Sequence, residues 1–259
     1  MTGITKLVIV GDRGAMGSYF KGIFSSMEDM CVEGIDRPLT PGVLQSLSHA
    51  QMVLLCIPVS AISSFMTRLK RSLQSPKFVL VDICSVKVMP MKVMLEEYPG
   101  PVVGTHPLFG PSPSGEKSLR IAMVRGRGDG EFEEVKRLFS QAGFEPFECS
   151  ATEHDRALAF IQALNFVTTL SYFAAFSGDS SLLKFITPSF CRRLSAAKKM
   201  LTQDCFLFEQ LFEANPYSHE AVKRFRSFLN LASAGDIDLL VEKAWWWWQK
   251  GKEEGEGVP

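Results

Sequence analysis

Between residues 6 and 149 the chain alternates short β-branched runs with stretches in which apolar residues recur every three or four positions. That alternation predicts strands covered by amphipathic helices. Strands are expected at Lys6–Val10, Cys31–Ile35, 52–57, 78–82, 102–105, 121–124 and 144–148, and helices at 16–27, 60–73 and 131–141. Near-continuous apolar strands separated by helices imply a parallel sheet, so this half reads as a doubly wound α/β domain.

At Ala151 the texture changes. The β-branched runs give way to one long Phe- and Ala-rich helical pattern over 152–176, with Thr152 or Ser150 as its cap and Glu153 and Asp155 suited to the positive end of its dipole. Gly178 and Pro188 punctuate the rest of the chain, and further helices are expected over 190–212, 216–233 and 236–248. The stretch 157–176 has few charges on any face, which predicts burial all round with the help of a second subunit. The organisation is therefore an α/β domain over 1–150, an all-helical domain over 151–250 that makes a homodimer, and a charged, Gly-rich tail over 251–259 expected to be frayed.

Composition narrows the classes. Of 259 residues 46% are apolar and 22% charged, with 28 Lys+Arg against 28 Asp+Glu. This excludes a disordered chain and provides no global basic field to attract nucleic acid or anionic membrane. The six cysteines, at 31, 56, 84, 149, 191 and 205, form no C-x-x-C pair and have no histidine at zinc-ligand spacing. No metal is expected, and the thiols read as reduced core residues of a cytoplasmic protein. The chain enters an apolar strand at once, without a basic leader, and has no run of about 18 uncharged apolar residues, so neither secretion nor a membrane span is expected.

Candidate chemistry gathers at the strand ends. KLVIVGDRGAMGSYF places Gly11, Gly14 and Gly17 between the first strand and its helix, where backbone N–H groups of Gly14, Ala15, Met16 and Gly17 can meet a dinucleotide pyrophosphate. Read as G-x-G-x-x-G, the spacing puts Asp12 at the first glycine. Asp36 follows Gly17 at the distance of a ribose-binding carboxylate, which favours NAD over NADP, a preference that Arg37 softens. Ile57 and Pro58 end the third strand on the same edge, and VDICSVK places Asp82, Ser85 and Lys87 after the fourth. In VVGTHPLFGPSPSG, His106 follows the fifth strand and precedes a rigid loop that carries Ser114. A histidine there is the natural proton acceptor near neutral pH, with Ser85 able to hydrogen-bond its ring or a substrate hydroxyl. His49, His154 and His219 read as structural, and the tetrad Trp245 to Trp248 as packing at a subunit or domain junction.

Together IVGDRGAMG, VDICSVK, GPVVGTHPLFGPS and ATEHDRALAFIQAL resemble the prephenate dehydrogenase family, particularly the dehydrogenase portion of bifunctional chorismate mutase/prephenate dehydrogenases, over about residues 6–212. The chain starts at the cofactor strand, so no chorismate mutase segment is expected. The resemblance implies a cleft between a dinucleotide domain and a helical dimerisation domain. It implies that NAD takes hydride from the ring carbon bearing the hydroxyl of prephenate while the ring carboxylate leaves as carbon dioxide. It maps His106 as acceptor of the hydroxyl proton and Ser85 as the group orienting that hydroxyl, with Ser114 also on the substrate side.

Three positions depart from the family pattern. Asp12 stands at a usual glycine, Phe166 at a common histidine, and Cys191 at the substrate-carboxylate arginine, leaving Arg192 as the nearest replacement and Arg193 behind it. The reading is thus an NAD-dependent dehydrogenase of prephenate or a close analogue such as arogenate or 4-amino-4-deoxyprephenate. The alternative is a non-catalytic dinucleotide-binding regulatory dimer of the same fold.

Overall fold

A computed structural model describes residues 3–73, 76–113 and 118–253. Its first half is one seven-stranded sheet in the order β2-β1-β3-β4-β5-β6-β7, with β1 at Lys6–Val10, β2 at Cys31–Ile35, β3 at Met52–Leu55, β4 at Val79–Asp82, β5 at Val102–Pro107, β6 at Arg120–Arg127 and β7 at Glu145–Glu148. Strands β1, β3, β4 and β5 are buried on both faces apart from Lys6, which is why their sequences lack a polar alternation. Helices α1 (Ala15–Ser25) and α5 (Asp129–Gln141) cover one face through Phe20, Phe24, Phe132 and Phe139, all fully buried. On the other face lie α2 (Pro41–Ser46), α3 (Ile62–Ser72) and α4 (Val88–Glu97), with Leu44, Phe65, Met66 and Met94 in the core.

Two features differ from the pattern expected of a parallel sheet with three helices. Strand β6 runs antiparallel to β5, pairing Thr105 with Met123 and His106 with Ala122. The connecting residues 108–119 hold no helix among those described, and a strand pair without a crossover helix returns antiparallel. Helix α4 was hidden by Pro90, which sits in its first turn, where a missing N–H costs nothing.

The second half is helical: α6 (Ala151–Leu158), a π-helical turn at Ala159–Leu164, α7 (Asn165–Ala174), a 3₁₀ turn at Ser180–Phe185, then α8 (Pro188–Thr202), α9 (Cys205–Ala214), α10 (Ser218–Ala234), α11 (Ile237–Ala244) and α12 (Trp246–Glu253). The single helix expected over 152–176 is thus interrupted by a wide turn, and the one over 190–212 is two helices. Because α12 continues to Glu253, the start of the expected tail is helical, while residues 254–259 lie outside the described residues.

Among the described residues one helical run, Ala151–Ala174, is long and apolar enough to cross a membrane by length and composition. Its first turns instead enter the protein core, burying His154, Asp155, Leu158 and Ala159. Its later turns are not buried all round within one chain, since Ile161 is 61% exposed and Leu170 41%. Each of the four tryptophans is likewise more than half exposed within the chain, and Trp246 and Trp247 meet edge to face.

The cysteines divide. Cys84 is buried, Cys56, Cys149 and Cys205 are half-buried, and Cys31 and Cys191 are exposed, so these last two are not core thiols. All six are unpaired. Burial pushes the thiols of Cys56 and Cys84 far up, which makes them poor nucleophiles.

Candidate active site

The chain leaves β1 for β2 on one side and returns to β3 on the other, so a crevice opens at the carboxyl ends of β1 and β3. Gly11 turns there with φ of +87°, and a Cβ on it would lie 2.3 Å from the carbonyl oxygen of Cys56. Gly17 lies so close to the turn that its Cβ would sit 2.1 Å from the oxygen of Gly11. The demands on the backbone are sharpest at Gly11 and Gly17, while a Cβ at Gly14 would stand 3.3 Å from the Gly11 oxygen. Gly14 precedes the first turn of α1, which has no side-chain cap and no acidic residue, leaving the N–H groups of Ala15, Met16 and Gly17 open.

Asp12 does not point its charge into this crevice. Its Oδ2 lies 2.6 Å from Nζ of Lys21 on α1. The pair fills the space above Gly34 of β2, where a Cβ would stand 1.9 Å from Asp12 Oδ2 and 2.6 Å from Lys21 Nζ. The negative charge of Asp12 is thus paired on the β2 side of the turn.

A cavity of about 530 Å³ runs along this edge and is lined by Gly11, Gly14, Asp36, Arg37, Ile57 and Pro58, among others. Asp36 Oδ1 accepts the N–H of Arg37 at 2.7 Å, which leaves Oδ2 without a partner among the described residues. The glycine cradle, the open helix terminus and this carboxylate fit a dinucleotide.

Further along the edge stands His106, buried at the end of β5 and 3% exposed. At Gly104, two residues earlier, α4 packs close to the strand, since a Cβ there would meet Met91 Sδ at 2.6 Å. Nδ1 of His106 lies 2.9 Å from Nε2 of His154, and Nδ1 of His154 lies 2.7 Å from Oδ1 of Asp155. Asp155 also accepts the backbone N–H of Lys87 at 2.7 Å and of Val88 at 2.8 Å, capping α4 from a residue far along the chain. Beneath them Lys87 Nζ donates to Asp82 and to the carbonyl of Thr105. Burial, then His154, then Lys87 hold the pKa of His106 well below its ordinary value, so the ring is a neutral acceptor.

The placement of His154 follows from local sequence. Ser150 Oγ accepts the N–H of Glu153, and Glu153 returns a bond to the N–H of Ser150, a reciprocal cap that starts α6 directly after β7. His154 and Asp155 then project inward from its first turn. His154, which reads from the sequence as structural, is thus buried against the His106 ring. The only sequence signal for it was a polar HD pair at a capped helix start facing a domain boundary.

The other expected site residues are less concentrated. Ser85 is half-buried on the β4–α4 connection and makes no hydrogen bond to the His106 ring, whose Nδ1 is taken by His154. Phe166 stacks on Phe208 of α9 at 5.6 Å between ring centroids, so it is a packing residue. Arg192 is exposed on α8, a helix whose one buried residue is Ala197, while Arg193 lies over the ring of Tyr172. Ser114 lies outside the described residues.

Comparison with known proteins agrees with this geometry. Residues 32–124 match the nucleotide-binding domain of prephenate dehydrogenase. A T-protein of Enterobacter agglomerans is 27% identical over 223 residues, covering 85% of this chain and 59% of that protein. A T-protein of Haemophilus influenzae is 27% identical over 212 residues, covering 80% and 56%. The chain therefore spans less than two thirds of the length of these relatives. Among solved structures, arogenate dehydrogenase of Synechocystis superposes with a TM-score of 0.76 at 17% identity, covering 97% of this chain and 99% of the other. Prephenate dehydrogenase from A. aeolicus, in complex with hydroxyphenyl propionate and NAD+, gives 0.77 at 18% identity with the same coverage. At such identities the structural likeness speaks for the fold.

Proposed function

We propose that this chain belongs to the prephenate dehydrogenase family, a reading that the matches support, and that it oxidises and decarboxylates prephenate or a close cyclohexadienyl acid such as arogenate or 4-amino-4-deoxyprephenate. The observation that carries this reading is His106, a buried neutral imidazole on the same sheet edge as a glycine cradle built for a dinucleotide. When bound, NAD supplies the hydride acceptor. The chain's own residues then bind, orient and deprotonate. The open N–H groups of Ala15, Met16 and Gly17 take the pyrophosphate, and Asp36 takes the adenosine ribose. Asp36 disfavours a 2′-phosphate, so NAD is preferred over NADP, with Arg37 tempering the preference.

His106 accepts the ring hydroxyl proton as the carbon beneath it loses hydride and becomes a carbonyl carbon. Loss of carbon dioxide sends the ring-carboxylate bond electrons through the ring to that oxygen, which recovers a proton as the ring becomes aromatic. Aromatisation drives the reaction, so positioning and one base suffice from the protein. Ser85, on the loop just after β4, orients the hydroxyl. Ser114 belongs to the substrate side, and Arg192 is the proposed carboxylate partner because its planar fork suits that anion.

The helical half is proposed to pair two chains. Its surface carries a groove of about 690 Å³ lined by Phe173, Phe176, Leu183, Phe185, Phe190 and Leu194, with Phe185 68% exposed. A patch of this character on one chain favours burial against a second copy. Six unpaired thiols favour a reducing, cytoplasmic setting.

The test is the absorbance of reduced nicotinamide with purified protein, NAD or NADP, and each of the three acids in turn. Reduction of NAD with at least one acid is expected. No reduction with any of them, together with calorimetric NAD binding, would leave the non-catalytic dimer as the better reading.

A further inference from the structure

His106 is joined to a second ring and a carboxylate, and with both rings neutral the hydrogen inventory of that chain has one solution. As a carboxylate, Asp155 can only accept, and it already accepts two backbone N–H groups from the start of α4. The hydrogen between Asp155 and His154 therefore sits on Nδ1 of His154. A neutral His154 then offers a lone pair at Nε2, so the hydrogen shared between the rings sits on Nδ1 of His106.

We infer that His154 and Asp155 form a positioning pair that holds His106 in its Nδ1–H form and leaves Nε2 as the atom that takes the substrate's hydroxyl proton. The tautomer stands by itself, while its use in turnover rests on the proposed dehydrogenase reaction. The side chains of His154 and Asp155 are 1% and 0% exposed, so neither reorients toward solvent. Asn215 holds the backbone of the pair in place by donating from Nδ2 to the carbonyl of Asp155 at 2.8 Å.

The same chain gives the arriving proton a place to go. Protonation of His106 at Nε2 makes an imidazolium beside Lys87, an unfavourable position. Transfer of the Nδ1 hydrogen to Nε2 of His154 moves that positive charge one ring away, 2.7 Å from the Asp155 carboxylate. One proton enters His106 and one leaves it, so the count balances, and the reverse transfer restores the base.

The test is the ¹⁵N spectrum of histidine-labelled protein at neutral pH, in which long-range couplings report which nitrogen of each ring carries hydrogen. His106 is expected to carry it at Nδ1, and His154 also at Nδ1. In His154→Leu the constraint is lost, His106 shifts toward the Nε2–H form, and kcat falls about 10- to 100-fold, the range for loss of an orienting partner, with KM for NAD unchanged. His154→Gln, whose amide oxygen can accept from Nδ1, restores much of kcat. A parent spectrum with hydrogen at Nε2 of His106 overturns the inference, and it needs no variant to fold. Parental tautomer and turnover in His154→Leu overturn it as well. A parent that turns over none of the acids removes the proposed reaction and leaves the tautomer to be decided by the spectrum.

Discussion

Nζ of Lys87 lies 2.5 Å from Oδ2 of Asp82, with both side chains wholly removed from solvent. The ammonium also donates to the carbonyl of Thr105, and Thr105 Oγ1 donates back to the carbonyl of Asp82. The pair thus ties the ends of β4 and β5 together beneath His106. Desolvation of two charges offsets much of their attraction, so the contribution lies in holding the edge, while removal of one partner strands the other.

Lys87→Met is accordingly expected to lower the unfolding free energy by about 3–5 kcal/mol, because it leaves the Asp82 carboxylate buried without its counter-charge. Urea denaturation of the single variants and of Asp82→Asn/Lys87→Met checks this. The double variant should recover more than half of the loss. Additive losses would mean that the two groups do not depend on each other.

The ion pair of Asp12 and Lys21 over Gly34 makes a different prediction. Gly34→Ala puts a methyl group where the pair sits, freeing the Asp12 carboxylate to move toward the phosphate turn. NAD affinity should drop by a factor equivalent to about 1 kcal/mol, the scale of one partly screened charge. Asp12→Gly, by contrast, should leave affinity nearly unchanged, since the charge it removes is already paired. Calorimetric titration of both proteins decides, and tighter NAD binding by Asp12→Gly would show that the carboxylate does face the phosphates.

His106→Asn should bind NAD as the parent does while turnover falls about 100-fold or more, the scale of a positioned proton acceptor. Near-parental turnover in this variant would place the base elsewhere.

The pH dependence of stability originates in the same ring. Burial first, then His154 and Lys87, depress the folded-state pKa of His106 well below the ordinary 6.5. Above about 6.5 neither folded nor unfolded ring is protonated, and the shift costs nothing. As the pH falls through that value the unfolded chain gains a proton that the folded ring refuses. Stability then declines by up to about 1.4 kcal/mol per pH unit until the folded pKa is reached. Urea midpoints measured through this range should fall less steeply for His106→Asn than for the parent. Identical slopes would show that the folded ring titrates normally.

Phe185→Glu is expected to shift the protein from dimer to monomer in sedimentation, because the variant places a charge in the apolar groove of the helical half. A parent that sediments as a monomer would remove the proposed pairing.

Local pattern was enough to read β1, β2, the α1 cradle and the change to helices at Ala151, because periodicity, a glycine turn and a reciprocal cap act over a few residues. The same holds for His106 at a strand end beside glycines and prolines. It failed wherever the deciding partner lay far along the chain. His154 reaches His106 across 48 positions, and nothing in its neighbours reveals that a β5 ring waits opposite. Asp155 caps α4 from 67 residues past Val88, in place of any local cap that sequence could display. The reversal of β6 follows from a connection with no crossover helix among its described residues, and the pairing of Phe166 with Phe208 from how α7 meets α9. Hydrophobic spacing selects which residues are buried. Which buried residues meet, and so which nitrogen of His106 is left to accept a proton, is a property of packing in three dimensions.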